Sequence, residues 1–529
     1  MHVVIADQLP ASAVKILTSI PGWTVDSRSG RSGDALAPDL ASADALIVRS
    51  ATKVDERLMQ LAPRLRVIAR AGTGVDNVDL SAATARGILV MNAPGANSIS
   101  VAEHALALML GLARAVPTAD AAMKRGVWDK KSLTGAELKG KTLGLVGMGR
   151  VGREVAARAK AFGMSLVAHD PFLSETVAAS LGVELLSLDG VCERADYISL
   201  HAPATAETRG LFNADRLRKC RRGVRIVNTA RGELIDEAAL ADAIAQGHVG
   251  GAGLDVFEKE PPIDWRLTHL PEVIATPHIA ASTHEAQEQV GIDTATAVRD
   301  YLMDGTVRNA VNFPAISTED MAALRPFLLL AERLGALAAQ LAEGRTRALG
   351  IRHYGPLVSA HGELIVSAAV AGLLKPMLSS AVTIVNARDV AGQRGIEIVE
   401  SRSSRPRTFA NMLSVKLHTS TGECWLEGAV FEPGRPRITL LDGVEVEAPL
   451  EGTLLTIRNV DQPGVIGHVG SILGRHGVNI ANFALGRHAD GAAGIVNVDA
   501  PALDQRLLES LRDIRNVEGV REARLASVS

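Results

Sequence analysis

The stretch Leu143-Gly144-Leu145-Val146-Gly147-Met148-Gly149-Arg150-Val151-Gly152, with Asp170 standing 18 positions beyond its last glycine, decides the fold. An apolar run enters a G-x-G-x-x-G turn and leaves it on a helical pattern, Arg153 to Phe162, so the segment reads as strand, turn and helix. Gly147 permits the tight turn, Gly149 lets the backbone approach a pyrophosphate, and Gly152 allows close helix–strand packing. The helix N-terminus presents unpaired N–H groups and the positive end of its dipole to phosphates. Asp170 closes the next apolar run, Ser165 to Ala168. A carboxylate there accepts hydrogen bonds from an adenosine ribose and repels a 2′-phosphate. The combination predicts a dinucleotide site that prefers NAD to NADP.

A length of 529 residues suggests about three or four domains at roughly 150 residues each. The formal net charge of −3 leaves no global basic field for nucleic acid. Cys192, Cys220 and Cys424 are too far apart for a disulfide framework or a metal spacing, so no metal is expected and a reducing compartment is. The chain opens on a strand-like run, Val3 to Ala6, without a cationic segment followed by an apolar one, so no signal peptide is expected. Charges such as Arg114, Arg325, Glu332 and Arg333 interrupt the most apolar helices, so no membrane span is expected. The expectation is a soluble cytoplasmic protein of several domains.

Before the fingerprint, Val3–Ala6, Ala45–Val48, Val67–Ala69 and 87–91 read as strands alternating with helices. A long apolar helix, 98–112, leads into the unit that carries the fingerprint. Its later strands read as Tyr197–Leu200, Arg225–Asn228, Gly251–Leu254 and Val273–Ala275. Alternation of this kind implies parallel sheets covered on both faces, with ligands at the carboxyl ends of the strands. A fingerprint that begins near residue 143 implies that the cofactor domain is inserted into another domain. From about residue 318 an Ala/Leu-rich helix, 321–341, precedes strands with Arg- and Gly-rich turns. Glu451-Gly452 reads as a linker to a separately folding tail whose elements follow the order β-α-β-β-α-β, the ferredoxin-like pattern.

Three polar groups stand just after apolar strands of the cofactor half: Arg231 in Asn228-Thr229-Ala230-Arg231-Gly232, Glu260 in the run from Asp255 to Pro262, and His278 in Thr276-Pro277-His278. Such residues suit oxidation of a 2-hydroxy acid. His278 takes the hydroxyl proton while hydride leaves for the nicotinamide. Glu260 orients the imidazole and favours its charged form. Arg231 grips a carboxylate bidentately and polarises the carbonyl.

The blocks Val146–Gly152, Val227–Gly232, Leu254–Pro262 and Thr276–Ser282 resemble the D-2-hydroxyacid dehydrogenases. Leu46–Val54, Arg70–Asp79 and Met91–Ser98 bring the resemblance closer to the D-3-phosphoglycerate dehydrogenases, and together these blocks span residues 1 to about 315. The resemblance implies a catalytic set of Arg231, Glu260 and His278. It implies an NAD site lined by Gly147, Gly149, Arg150, Val151, Gly152, Asp170, Thr229, Arg231, Asp255 and the segment His278 to Ala281. Arg49 and Arg70, beside Ser50 and Thr73, resemble the family's anchors for the substrate phosphate. Lys130 and Lys131, just past Trp128, are either solvated cations or part of the region that reaches across a dimer interface.

The tail carries Asp461-Gln462-Pro463-Gly464-Val465 and Gly477-Val478-Asn479-Ile480-Ala481, a pattern that resembles an ACT domain, a module that pairs with its copy and binds amino acids. Pro463 suits the first turn of its helix. Asp461, Asn479 and helix-end N–H groups supply the donors and acceptors that a zwitterion needs. In serine-sensing relatives a third polar residue precedes the turn, and here that position is Asn459. The stretch 317–450 resembles the extra domain of the family's long form. Its Arg402, Arg405 and Arg407 are either an exposed charged loop or an anion site.

The expected fold class is α/β, with a Rossmann-type NAD domain, 98–281, inserted in a flavodoxin-like substrate domain, 1–97 and 282–316. An α+β intervening domain, 317–450, and a ferredoxin-like ACT domain, 451–529, follow. The resemblance implies NAD-dependent oxidation of D-3-phosphoglycerate to 3-phosphooxypyruvate, the first step of L-serine biosynthesis, by a homotetramer that L-serine inhibits. Two alternatives stand beside it: another D-2-hydroxyacid dehydrogenase, reducing 2-oxoglutarate or glyoxylate, and an NAD-sensing scaffold.

Overall fold

The structure is a computed structural model that describes residues 1–529 apart from 32, 315, 317, 379–381, 404–407, 432–433, 490 and 529. Arg405 and Arg407 of the basic turn therefore lie outside the described residues. The chain divides into two compact units, one of Leu9–Ala13 and Ala93–Asp293, the other of Met1–Gln8, Val14–Asn92 and Thr294–Ser529.

In the second of these units, strands β1 (His2–Ile5), β2 (Thr24–Asp26), β3 (Ala45–Val48), β4 (Val67–Arg70) and β5 (Leu89–Asn92) form a sheet of order β2-β1-β3-β4-β5. Every printed pairing in it is parallel, and the order is that of flavodoxin-like folds. All four residues of β3 are buried, as expected for a strand covered on both faces. The chain returning from residue 294 is tied to β5 by Asn312, whose Oδ1 accepts from Val90 N at 2.8 Å and whose Nδ2 donates to Ile88 O at 2.9 Å.

In the other unit, β6 (Thr142–Val146), β7 (Ser165–His169), β8 (Glu184–Leu185), β9 (Tyr197–Leu200), β10 (Val224–Asn228), β11 (Val249–Leu254) and β12 (Val273–Ala275) form a sheet of order β12-β11-β10-β9-β6-β7-β8. This is the doubly wound Rossmann arrangement, with its switch between β6 and β9. One register row crosses six strands: His169, Val146, Leu200, Asn228, Leu254 and Ala275 are neighbours in turn. The helix Ser98–Arg114 packs its buried Leu108 against β11, where a Cβ on Gly253 would meet Leu108 Cβ at 2.9 Å.

Strands β13 (Thr346–Tyr354), β14 (Glu397–Ser403), β15 (Met412–Thr419), β16 (Glu423–Phe431), β17 (Arg435–Leu441) and β18 (Val444–Pro449) follow, in the order β14-β13-β15-β16-β17-β18. Only the β13–β14 pair is parallel among their printed pairings. The helices Thr318–Leu341 and Gly362–Leu374 cross where neither can carry a side chain. A Cβ on Gly335 would stand 2.0 Å from Ala369 O, and one on Gly372 would stand 1.9 Å from Glu332 O.

The tail contains β19 (Gly452–Asn459), β20 (Ile480–His488), β21 (Gly491–Val498) and β22 (Val520–Val528), ordered β20-β21-β19-β22, with helices Val465–Arg475 and Gln505–Arg515. Its printed pairings are all antiparallel, as in ferredoxin-like folds. Two expectations need correction. The first tail helix starts at Val465, behind Gly464 at φ 94°, so Pro463 precedes its first turn. Gly452 opens β19 and is no free linker, and the tail does not stand apart. Ser527 exchanges two hydrogen bonds of 2.9 Å with Gln340, Arg333 donates to Leu450 O at 2.8 Å, and Arg524 pairs with Glu343 at 2.7 Å. The helix Thr318–Leu341 is thus shared between the intervening sheet and the tail.

Gly372→Val drives a branched side chain into the Glu332 carbonyl and should cost about 1–3 kcal/mol, the usual range for overpacking. Calorimetry of the full-length variant should show a lowered Tm for the C-terminal part, with dinucleotide affinity unchanged.

Candidate active site

Asp170, Gly147, His201, Thr229, Asp255 and Thr276 each stand one position beyond the six-strand register row. A repeated strand length therefore delivers them to one edge of the sheet, the carboxyl edge at which such sheets bind ligands. Gly147 is at φ 95°, and a Cβ there would meet the His201 carbonyl at 2.8 Å. A Cβ on Gly152 would stand 2.2 Å from Gly147 O, whereas nothing lies within 4 Å of one on Gly149. The turn is closed on its protein side and open at Gly149, the N-cap of the helix Arg150–Ala161. Val151 packs in the core beneath, and the Arg150 guanidinium bonds the Pro94 carbonyl.

Asp170 follows β7 directly, since that strand runs to His169, and braces the glycine turn. Its Oδ2 accepts from Met148 N at 2.7 Å and its Oδ1 from Phe172 N at 2.9 Å. Two polar atoms buried at this edge, Thr229 Oγ1 and His201 Nδ1, have no hydrogen-bond partner among the described residues, and burial pushes His201 down to about 4. An open glycine, a helix N-terminus and orphaned polar atoms are what a dinucleotide requires, so the residues present fit NAD.

His278 Nδ1 lies 2.7 Å from Glu260 Oε2. The carboxylate is held in turn by Phe257 N, 3.2 Å from Oε1. The hydrogen bond to Glu260 raises the His278 pKa against the opposing effect of burial, and the charges of Asp255 and Arg231 pull in opposite directions. Burial pushes Glu260 up, but the His278 hydrogen bond and charge outweigh it, so its carboxyl sits below the usual range. A cavity of about 380 Å³, walled by Phe257, Pro261, Pro262, Trp265 and Pro277, adjoins the pair. Apolar walls lower the local dielectric and strengthen the ion pair. Arg231 leaves the end of β10 on a loop fixed by the buried Asn228, which donates to Arg231 O at 2.8 Å and accepts from Ala230 N at 3.1 Å. Ala281 follows the same turn as His278.

Sequence reasoning placed Asp255 in the NAD site but missed its bonds behind this turn, and it missed His104. Asp255 is fully buried, and it accepts from Thr276 Oγ1 at 2.6 Å and from the N–H groups of Ile279 and Ala280 at 2.8 Å each. His104, on the helix Ser98–Arg114, reaches Thr276 Oγ1 at 3.0 Å. The available signal was an imidazole in an otherwise apolar helix.

In the other unit Arg49 follows β3 and Arg70 ends β4, both half-buried, with Ser50 and Thr73 exposed beside them. Asp7, also missed, is buried and holds the loop after β3 through Thr52 Oγ1 at 2.8 Å. Asn77 donates to Arg49 O and Thr52 O at 2.6 Å each. The Arg70 guanidinium folds over Gly72, where a Cβ would meet it at 1.7 Å.

The tail residues are placed less simply. Asp461 precedes the helix Val465–Arg475 and Asn479 follows it, so an 11-residue helix, about 16 Å long, separates them. One chain therefore does not bring the two together around a small ligand. Asp461 pairs with Arg487 at 3.5 Å, Asn479 donates to Asp499 at 2.6 Å, and the buried Asn459 donates to Val460 O at 2.7 Å.

An imidazole oriented by a carboxylate, at the same sheet edge as a dinucleotide turn, is the equipment for moving a proton while hydride passes to a nicotinamide. Residues 106–280 accordingly match the family described as D-isomer specific 2-hydroxyacid dehydrogenase, NAD binding domain. Residues 323–442 match the D-3-phosphoglycerate dehydrogenase intervening domain, and 453–518 match the ACT domain. Over nearly its whole length the chain is similar to D-3-phosphoglycerate dehydrogenases. It is 40% identical to that of Methanocaldococcus jannaschii (98% of this chain, 99% of the relative) and 42% identical to that of Mycobacterium tuberculosis (96% of each). Among solved structures it resembles a D-lactate dehydrogenase from Aquifex aeolicus complexed with NAD and lactic acid, at 29% identity and TM-score 0.53 over 60% of this chain and 100% of that one. The chain belongs to the D-3-phosphoglycerate dehydrogenase family.

Replacing Glu260 by Gln removes the largest cause of the raised His278 pKa. A histidine acting as base is active when neutral, so the acid limb of the pH profile of kcat/KM should move to lower pH. The maximal rate should fall as the imidazolium loses its partner. A pH–rate series on both proteins checks the shift.

Proposed function

We propose that the chain catalyses NAD-dependent oxidation of D-3-phosphoglycerate to 3-phosphooxypyruvate, the first step of L-serine biosynthesis, under feedback inhibition by L-serine. The observation that carries this reading is the oriented His278–Glu260 pair at the carboxyl edge of the Rossmann sheet. The end-to-end likeness to relatives named for this activity supports it.

In this mechanism His278 is the general base. Its Nδ1–H donates to Glu260, which leaves Nε2 with a lone pair for the proton of the substrate hydroxyl. Arg231 holds the substrate carboxylate and polarises the developing carbonyl. NAD, when bound, would supply the acceptor for the hydride of the carbinol carbon. Gly147, Gly149, Arg150, Val151 and Gly152 would hold its pyrophosphate and Asp170 its ribose, and Thr229, Asp255 and Ala281 would line the remainder of its site. Arg49 and Arg70, with Ser50 and Thr73, take the substrate phosphate. The proton moves to His278 as the hydride leaves, so charge does not accumulate on the alcohol oxygen.

Serine is held by Asp461, Asn459 and Asn479. The separation of Asp461 from Asn479 along their helix suits a site completed by a second copy of the tail. Exposed Val116, Met123, Val127 and Trp128 suit burial against another copy of the NAD-binding unit. Both features support a homotetramer. Buried free Cys192, Cys220 and Cys424 suit a reducing cytoplasm, and among the described residues no single helix is long and apolar enough to cross a membrane.

Steady-state NADH formation from 3-phosphoglycerate, with and without serine, tests the reading as a whole; absence of turnover with this substrate refutes it. Arg49→Ala and Arg70→Ala should each raise KM for phosphoglycerate about ten- to a hundredfold, the worth of roughly 1.5–3 kcal/mol for a charged hydrogen bond, and change KM for NAD little. Equal effects on both substrates would remove these residues from the phosphate site. Asp461→Ala should weaken serine inhibition at least about tenfold, since a hydrogen bond to the ligand's ammonium is lost. This is measured as the serine concentration that halves the rate.

A further inference from the structure

The helix Ser98–Arg114 touches the segment that carries His278 at two points. His104 Nε2 lies 3.0 Å from Thr276 Oγ1, and Ser100 Oγ lies 2.7 Å from Thr283 Oγ1. Residues four apart leave a helix on one face, and the two residues they reach stand at opposite ends of the same segment.

Chemistry sets the direction of the first contact. Thr276 Oγ1 lies 2.6 Å from Asp255 Oδ1, and an ionised carboxylate only accepts, so the hydroxyl proton points there. The threonine oxygen then accepts from His104 Nε2, which must carry a proton. The run of donors ends on the buried Asp255, whose oxygens also take Ile279 N and Ala280 N at 2.8 Å and whose carbonyl takes His278 N at 2.8 Å. These bonds hold His278 at φ 53°, a left-handed conformation that a non-glycine residue keeps only when its surroundings impose it.

We propose that Ser100 and His104 are positioning residues for proton transfer, a two-point clamp that fixes the Thr276–Thr283 segment and, through Asp255, the turn that aims His278. The clamp rests on the reading of His278 as the base. Neither residue needs to touch substrate. His104 acts through Thr276 and Asp255, and Ser100 through Thr283. Misplacing a base by about 1 Å is enough to cost on the order of a hundredfold in rate, so two hydrogen bonds remote from the reacting atoms carry kinetic weight.

The test compares full-length wild type with His104→Leu, His104→Gln and Ser100→Ala. Steady-state kinetics with 3-phosphoglycerate and NAD are measured beside Tm. The pH dependence of His278 acylation by diethyl pyrocarbonate, followed by mass spectrometry, reads the same imidazole without substrate. Glu260, Asp255 and Arg231 are the charged groups that set its titration. His104→Leu should lose at least about tenfold in kcat with KM for NAD within about threefold, the pattern of a misplaced base. Its acylation midpoint should fall toward about 6.5, the ordinary value for histidine, as the turn drifts from Glu260. His104→Gln, which keeps an N–H donor, should recover most of both, and Ser100→Ala should shift both in the same direction. A His104→Leu protein with lowered Tm but wild-type kcat and acylation midpoint makes His104 a helix anchor and overturns the clamp. If that variant does not fold, a wild-type midpoint in Ser100→Ala overturns it instead. Failure of wild type to oxidise 3-phosphoglycerate refutes the proposed substrate, while the acylation midpoints still decide the clamp.

Discussion

A single buried carboxylate underlies the arrangement of the catalytic unit. Burial pushes the Asp255 pKa up, but hydrogen bonds from His104, Thr276, Ile279 and Ala280 outweigh it and hold the carboxyl below its usual range. An ion with no exposed surface persists only when its lone pairs are filled. Filling them requires that the chain leaving β12 fold back over the end of β11. That fold-back forms the turn that carries His278. The proposed base is therefore positioned by the electrostatic demand of a neighbour, and the strain at φ 53° is supported by bonds that the carboxylate would otherwise lack.

The architecture of this unit was legible because its signals are local. The glycine fingerprint, the following acid and the apolar runs ending in Asn228, Leu254 and Ala275 are each contiguous. Their convergence follows from parallel strands in register rather than from any long-range pattern. The pairing of Glu260 with His278 was legible for the same reason, both residues lying just past neighbouring strand ends. Arg231 stands at the expected strand end, and Asn228, which holds its loop, was quoted without a role.

What escaped reading was contact made across long sequence separations. His104 sits 172 positions from Thr276, and nothing within its own helix shows which residue it meets. Asp7 went unread because its partner Thr52 lies in another connection. The tail misled in a second way. Pro463 favours a first helical turn by its φ, but Gly464 in the left-handed region supplies the actual N-cap and delays the helix to Val465. Glu451-Gly452 has the composition of a linker. It is nevertheless a strand edge, held by Asn497, which donates to Pro449 O and Glu451 O at 3.1 Å.

The division of the chain also bears on control. The proposed phosphate anchors and the proposed effector residues belong to one compact unit, whereas His278 and the glycine turn belong to the other. Within the first unit the contacts are continuous. The tail bonds the helix Thr318–Leu341 through Gln340, which exchanges two hydrogen bonds with Ser527. In the intervening domain Thr383 Oγ1 donates to Gly87 O at 3.0 Å and Asn386 Nδ2 to Ala85 O at 3.1 Å, in the loop that enters β5. At the far end of β5, Asn92 donates to Thr73 O at 2.6 Å, beside Arg70. An effector changes an equilibrium only by its differential affinity for two states, and contiguous packing is one physical carrier of such coupling. A state of the tail can be felt at the proposed anchors through contacts of their own unit. The connectivity therefore offers a route for inhibition through substrate affinity within that unit.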